Sequence, residues 1–277
     1  MTETVGDLTP ATPRPTGPPA YTGKVATSTL TGTTLAERPD LTGPLRESGL
    51  DGTPTWPRFY EGNEVSRRFW DRMYSEFADY QIVLVDGSAI VACGHTVPLY
   101  WDQTVEGLPQ GWDQGFERAF QDKHDPNTLM AVSAAAQPAV RNTGLGSEIL
   151  QAMRALARER GFNSLVAPVR PNRKESYPLA KFEEYINWNH ADGSAFDPWL
   201  RTHMKLGGRI LRVATESMVV EGSVEQWSSW TGGSFPASGA YVVPGALTPV
   251  HIDVEADRGR YVEPNVWVEH RITPDQG

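Results

Sequence analysis

A glycine-containing turn between an apolar strand and an amphipathic helix limits most strongly what this sequence can fold into. Residues 128–136 are mostly small or apolar and predict a strand. The turn that follows reads Pro138-x-x-Arg141-x-x-Gly144-x-Gly146. A helix is predicted next, because apolar side chains recur at helical spacing at Leu145, Ile149, Met153 and Leu156. The two glycines therefore stand where the chain passes from a strand into the N-terminus of a helix.

The N-terminus of a helix attracts anions, since its first backbone N–H groups have no partner inside the helix and lie at the positive end of the helix dipole. Gly144 and Gly146 allow a phosphate to approach the backbone closely. Two glycines alone fit an ordinary tight turn, but the arginine, proline, strand and helix around them favour an anion site. The third glycine of a dinucleotide-binding turn and the Gly-Lys-Ser/Thr of a P-loop are both missing from the sequence.

The rest of the chain predicts further helices and strands. An amphipathic helix is expected over residues 64–80, and a two-strand hairpin turns at Asp86-Gly87. A shorter helix is expected between residues 111 and 124. More strands are predicted at residues 164–169, at residues 209–221 and within residues 239–268.

The turn and this order of elements resemble the GNAT superfamily of acyl-CoA-dependent N-acyltransferases. The pyrophosphate turn of that superfamily reads Arg/Gln-x-x-Gly-x-Gly/Ala, and the resemblance covers about residues 24–220. It implies an α/β fold with a mixed, largely antiparallel sheet, splayed central strands, flanking helices, a helical insertion at about residues 173–197 and a C-terminal β extension. We expect one domain over residues 21–277, preceded by a disordered Pro/Thr-rich tail at residues 1–20.

The resemblance also implies acetyl-CoA or another acyl-CoA as cosubstrate. Its pyrophosphate is expected at the turn, and its pantetheine arm between the splayed strands, where small side chains allow close approach. An asparagine often follows the second of these strands in the superfamily. The residues expected to bind acyl-CoA are Ala134, Ala135, Ala136, Arg141, Asn142, Thr143, Gly144, Leu145, Gly146, Ser147 and Asn172.

A histidine stands where the superfamily usually has the tyrosine that protonates the departing CoA thiolate. The stretch Thr202-His203-Met204-Lys205-Leu206-Gly207-Gly208 matches the superfamily's Leu-Tyr-x-x-x-Gly-Phe. An imidazole with an ordinary pKa of ~6.5 can donate a proton near neutral pH. A neutral histidine packed in the helix is the alternative, and both roles for His203 stay open.

Two cations follow the strand at residues 164–169 and predict a substrate-binding role. Arg170 and Lys174 would bind an anionic group of the acceptor or of the acyl chain at the mouth of the pocket. A solvated surface, or the phosphates of the nucleotide, are the alternatives for this basic cluster.

The sequence assigns no general base, since residues 128–136 contain no carboxylate. Acidic residues of the insertion are candidates by location only, namely Glu175, Glu183, Glu184, Asp192 and Asp197. The insertion is also rich in aromatic residues. They are consistent either with a lid over the pocket or with a packed helical insert.

Charge and composition exclude several functional classes. The net charge of -9, with no run of Lys and Arg, predicts no nucleic acid partner. The single cysteine allows no internal disulfide, and the histidines lack metal-ligand spacing, so no metal is expected. No stretch reaches the ~18 consecutive apolar residues of a membrane span, and the N-terminal residues do not resemble a signal peptide. We therefore expect a cytoplasmic protein without a membrane partner.

The function predicted from the resemblance is direct transfer of an acyl group, with acetyl the first candidate, from acyl-CoA to the amine of a small-molecule acceptor. A homodimer is a further expectation from the resemblance. Two alternatives remain open at this point. One is an acyl-CoA-binding or regulatory module without turnover, and the other is an acyl-CoA decarboxylase or an acyltransferase that uses a carrier protein.

Overall fold

The computed structural model describes residues 22–25, 28–50, 56–137 and 144–272. The predicted tail at residues 1–20 and the turn residues Pro138, Arg141, Asn142 and Thr143 lie outside the described residues. The α-helices of the described ranges are α1 (Thr42–Glu47), α2 (Glu64–Glu76), α3 (Trp112–Gln121), α4 (Leu145–Glu159), α5 (Phe182–Tyr185), α6 (Pro198–Lys205) and α7 (Val224–Thr231).

One sheet of ten strands runs through these described ranges. Its strands are β1 (Thr22–Val25), β2 (Ser28–Thr34), β3 (Gln81–Asp86), β4 (Ala89–Leu99), β5 (Thr128–Ala136), β6 (Ser164–Val169), β7 (Arg209–Gly222), β8 (Gly239–Tyr241), β9 (Val250–Asp253) and β10 (Arg258–Arg271). The spatial order is β1-β2-β3-β4-β5-β6-β10-β9-β8, and β7 pairs with β10 off this path.

Strands β5 and β6 separate after a short parallel contact. They pair only from Thr128 and Ser164 to Met130 and Val166. Every other strand pair in the described residues is antiparallel. This confirms the predicted mixed, largely antiparallel sheet with splayed central strands.

Helices cover both faces of the sheet because the strand side chains alternate in direction. On one face, the apolar stripe of α4 packs against Ile82, Leu129 and Leu165. On the other face, α2 and α3 pack against Val83, Met130 and Val166. The predicted helix over residues 64–80 is shorter than expected, since α2 ends at Glu76 and a 3-10 turn occupies Ala78–Tyr80.

Strand β10 joins the two halves of the sheet and forms the core of the C-terminal β extension. Its second half pairs with β6 through Val266–Arg271, and its first residues pair with β9. Strand β7 follows β10 along most of its length. The register shifts between Glu263 and Asn265, around Pro264, which has no backbone N–H to donate to the ladder.

Candidate active site

A pocket of about 560 Å³ opens where β5 and β6 separate. The predicted alanines Ala134, Ala135 and Ala136 line it on the β5 side. Strand β5 pairs with β4 along its other edge, so the edge that faces the pocket has backbone groups without a strand partner. The β4–β5 register shift leaves Val132 as an extra residue near the point of separation. A long flexible ligand with amide groups fits such a cleft.

The N-terminus of α4 lies against the same pocket. Gly144 precedes the helix with φ of 94°, a left-handed conformation that disfavours other L-residues. Its carbonyl accepts from the backbone N–H groups of Ser147 and Glu148 at 2.8 and 3.2 Å. A Cβ on Gly146 would lie 3.1 Å from the ring of Trp199, so this glycine allows α4 and α6 to pack closely. Glycine is therefore favoured at position 144 by the backbone conformation and at position 146 by the contact with Trp199.

His203 lies in the pocket wall, but its ionisation differs from the expected one. The side chain is 1% exposed, and its Nδ1 lies 2.9 Å from Nε2 of His270. Its Nε2 has no hydrogen-bond partner among the described residues. Burial, together with His270, lowers the pKa of His203 to about 3. His203 is therefore neutral near pH 7, and the expectation of a proton donor with an ordinary pKa is corrected. A neutral imidazole can still form a hydrogen bond with a ligand.

Arg170 lies at the end of β6, where it lines the pocket as part of an ion pair. Its Nε lies 3.0 Å from the Tyr60 hydroxyl and 3.1 Å from Oε2 of Glu263, and its Nη2 donates to the Gly245 carbonyl. The Glu263 carboxylate is fully buried. The cation predicted at this position thus reaches the pocket with its charge already balanced by a carboxylate.

The Glu263 carboxylate collects hydrogen bonds from several sides. Tyr60 donates a short hydrogen bond to its Oε2, and Tyr261 donates to the same oxygen at 2.8 Å. Asn265 donates to Oε1 at 3.2 Å. Burial is the largest cause that raises the pKa of Tyr60 well above 10, and the charge of Glu263 adds to it. The phenol therefore stays protonated and continues to donate.

Lys174 does not reach the pocket, which corrects the predicted pair of substrate-binding cations. Its side chain is fully buried, and Nζ donates to the carbonyls of Tyr177 and Leu247, both at 2.7 Å. Burial lowers the pKa of Lys174 to about 8. The ammonium connects the insertion to the loop before β9, and within the described residues only Arg170 of the predicted pair lines the pocket.

The insertion is a packed aromatic unit, and the expectation of a lid is not supported by its contacts. The rings of Tyr177, Tyr185, Trp188 and Phe196 pack against one another. Asp197 caps α6 by accepting from the backbone N–H groups of Trp199 and Leu200. None of the five acidic candidates of the insertion lines the described pocket. Asn172, just before the insertion, does line it.

Sequence reasoning missed the polar groups at the far end of the pocket, namely Tyr60, Glu263 and Asn265. One signal was present, because Glu263 and Asn265 are polar residues within a mostly apolar stretch from Tyr261 to Val268. A charged residue inside a buried strand is retained only with partners. Those partners come from distant parts of the chain, so the sequence did not reveal them.

The described ranges contain neither a membrane-spanning helix nor a metal-binding cluster of side chains. No helix in those ranges is both long and apolar enough to cross a membrane. The same part of the chain contains no group of three or more His, Cys, Asp or Glu residues arranged to hold a metal ion.

The sequence of this chain is similar to a known family and to a curated protein. Residues 52–183 match the Acetyltransferase (GNAT) family. Over 271 residues the chain is 34% identical to the arginine N-acetyltransferase avaD of Aspergillus versicolor, which covers 86% of this chain and 93% of that protein. The chain belongs to the GNAT superfamily. This GNAT protein is an N-acyltransferase that transfers an acyl group from acyl-CoA to the amine of a small-molecule acceptor.

A solved structure shows a similar fold. The loading GNATL domain of CurA from Lyngbya majuscula matches with a TM-score of 0.52 at 15% identity, covering 88% of this GNAT protein and 96% of that domain. A phosphinothricin acetyltransferase from Sinorhizobium meliloti, solved with acetyl-CoA, matches with a TM-score of 0.39 at 12% identity and covers 91% and 95%. At 15% identity, the match to the CurA domain shows a similar fold and nothing about function.

Proposed function

We propose that this GNAT enzyme transfers an acetyl group from acetyl-CoA to a nitrogen of arginine or of a compound that carries an arginine side chain. The observation that carries this proposal is the 34% identity to an arginine N-acetyltransferase over 93% of that protein. An alignment that covers 86% of this chain includes the central strands β5 and β6, which line the pocket.

The chemistry of the pocket supports an arginine-like acceptor. Trp56 and Tyr60 line it with rings whose centroids are 5.4 Å apart, and a flat guanidinium stacks well on aromatic faces. Arg170 keeps a quarter of its side chain exposed, and its Nη1 has no hydrogen-bond partner among the described residues. This group is available to the carboxylate of an amino acid.

For acetyl-CoA, the residues around the glycine turn supply the binding groups of this proposal. The pyrophosphate would meet the backbone N–H groups of residues 144–146 together with Arg141, Asn142 and Thr143, because the N–H of Ser147 already donates to the Gly144 carbonyl. The pantetheine arm would lie along Ala134, Ala135 and Ala136, with Asn172 at the end of β6. His203 would form a hydrogen bond to the sulfur as the thiolate leaves. The cytoplasmic location and the homodimer stay predictions.

A panel of acceptors tests the proposal. The purified protein is incubated with acetyl-CoA and L-arginine, agmatine, L-citrulline or L-lysine, and CoA thiol release is recorded. We expect L-arginine to react fastest, because agmatine lacks the carboxylate for Arg170 and citrulline lacks the guanidinium charge. Mass spectrometric fragmentation of the product identifies the acetylated nitrogen. Equal rates with all four compounds, or a rate with lysine above that with arginine, contradict the arginine assignment.

The role of His203 leads to a second measurement. A His203→Phe variant should have a kcat about 10- to 100-fold lower, because it loses one hydrogen bond to the charged thiolate. Because His203 is neutral near pH 7, the pH profile of the remaining activity should keep its shape between pH 6 and 8. The matched control is His95→Gln, since His95 is equally buried but lies outside the pocket lining. A titration near pH 6.5 that disappears in His203→Phe contradicts the neutral assignment.

A further inference from the structure

The buried Glu263 network ends at a phenol on the pocket surface, and this arrangement suggests a path for a proton. We propose that Tyr60 accepts the proton released by the attacking amine while it passes its own proton to Glu263. The inference rests on transfer to an amine, and it does not depend on arginine as the acceptor. It supplies the general base that residues 128–136 lack.

The geometry of the three groups supports the path. Tyr60 and Glu263 both line the pocket, but Tyr60 is partly exposed whereas Glu263 is fully buried. The Tyr60 hydroxyl accepts from Arg170 Nε at 3.0 Å and donates to Glu263 Oε2. Its proton is therefore already directed at the carboxylate, and the phenol oxygen keeps one lone pair besides the one that accepts from Arg170. Only Tyr60 needs to touch the acceptor.

The step is balanced as an exchange of two protons. As the amine nitrogen forms its bond to the thioester carbon, the nitrogen becomes positively charged and its N–H becomes strongly acidic. That proton moves to the oxygen of Tyr60, and the phenolic proton moves to Oε2 of Glu263. Tyr60 begins and ends neutral, and Glu263 ends as a carboxylic acid. Collapse of the tetrahedral adduct then breaks the C–S bond and releases the CoA thiolate. The proton on Glu263 returns through the Tyr60 hydroxyl to water once the products have left, which restores the carboxylate.

The exchange suits a phenol that cannot lose its proton alone. Burial and the charge of Glu263 keep the pKa of Tyr60 well above 10, so a free phenolate does not form near neutral pH. The charged and titratable groups around Glu263 are Arg170, Tyr60 and Tyr261, with the carboxyl of Asp113 acting at longer range. Arg170 pairs with Glu263 at 3.1 Å, so the group that receives the proton lies next to a cation.

The matched pair of variants for this inference is Tyr60→Phe and Tyr261→Phe. Each removes one phenol that donates to Oε2 of Glu263, but Tyr261 is fully buried and is not part of the pocket lining. With the fastest amine of the acceptor panel, we expect Tyr60→Phe to lower kcat by about 100-fold, within the range of general base catalysis. We expect Tyr261→Phe to lower it less than tenfold, as a change that weakens one of several hydrogen bonds.

Three readouts separate a proton path from a structural network. Acetyl-CoA affinity by calorimetry and the unfolding midpoint should change equally little in the two variants. The rate of Tyr60→Phe should rise with pH more steeply than that of the wild type, because free amine or hydroxide must replace the internal base. A third variant, Glu263→Gln, should share this profile if it folds. Equal losses of kcat in Tyr60→Phe and Tyr261→Phe, or an unchanged pH profile in Tyr60→Phe, overturn the inference.

Discussion

A Gly144→Glu variant should bind acetyl-CoA at least ~100-fold more weakly than the wild-type protein, a difference that corresponds to about 2.7 kcal/mol. Two causes act together. Gly144 has φ of 94°, which strains any L-residue, so the substitution shifts the backbone at the start of α4, where we propose that the pyrophosphate binds. A carboxylate at the N-terminus of α4 also occupies and repels the anion site. Calorimetric titration with acetyl-CoA measures the loss.

The same helix supplies the control for this substitution. Gly161 follows α4 with φ of 74°, and no atom lies within 4 Å of a Cβ built on either glycine. A Gly161→Glu variant therefore has a comparable backbone cost at the opposite end of the helix. It should be destabilised while keeping its affinity for acetyl-CoA. If both variants lose affinity equally, the loss reflects the folding of α4 and the assignment of the phosphate site is wrong.

Between pH 7 and pH 5 the free energy of unfolding should fall by about 4 kcal/mol, which is the net of three histidines and one opposing carboxyl. Three histidines are buried in the neutral form. Burial lowers the pKa of His95 and His203 to about 3 and that of His270 to about 4. The unfolded chain binds these protons with an ordinary histidine pKa, so stability is complete above ~6.5 and falls as the pH decreases toward the folded values. Typical domains have only about 5–15 kcal/mol in total.

One carboxyl opposes this trend. Burial raises the pKa of Asp113 to about 6, so the folded state takes up this proton before the unfolded chain does, and stability rises by about 1 kcal/mol over the same interval. Urea unfolding at half-unit steps of pH measures the net slope. In His95→Gln the loss should shrink by about 2 kcal/mol, because one of the titrations is removed. A slope that is unchanged in this variant shows that His95 does not contribute.

Local patterns predicted the elements around the proposed cosubstrate site. The strands over residues 128–136 and 164–169 were predicted with the bounds that the structure has, and the start of α4 lies at the predicted glycine turn. Such segments depend on neighbouring residues, since apolar spacing and turn residues determine them. The separation of β5 and β6 came from the family resemblance, and periodicity alone did not predict it.

Local sequence patterns could not predict the polar residues of the pocket, such as Tyr60 and Glu263. Tyr60 and Glu263 are 203 positions apart, and only the pairing of β10 with β6 and β7 brings them together. Lys174 was misassigned for a related reason, because its burial depends on the carbonyl of Leu247 in a distant loop. The pKa of His203 depends likewise on His270, which approaches from β10. The spacing of residues along the sequence does not show which distant residues become neighbours in the fold.

The late position of β10 in the chain has a consequence for biosynthesis. Strand β6 ends at Val169, but its antiparallel partner starts only at Arg258. On the ribosome, the edge of β6 therefore remains open while all the residues between them are translated. Open strand edges pair readily with other chains. We expect the nascent protein to need chaperone protection over this interval, and mutations that slow the docking of β10 to reduce the yield of folded enzyme more than its stability.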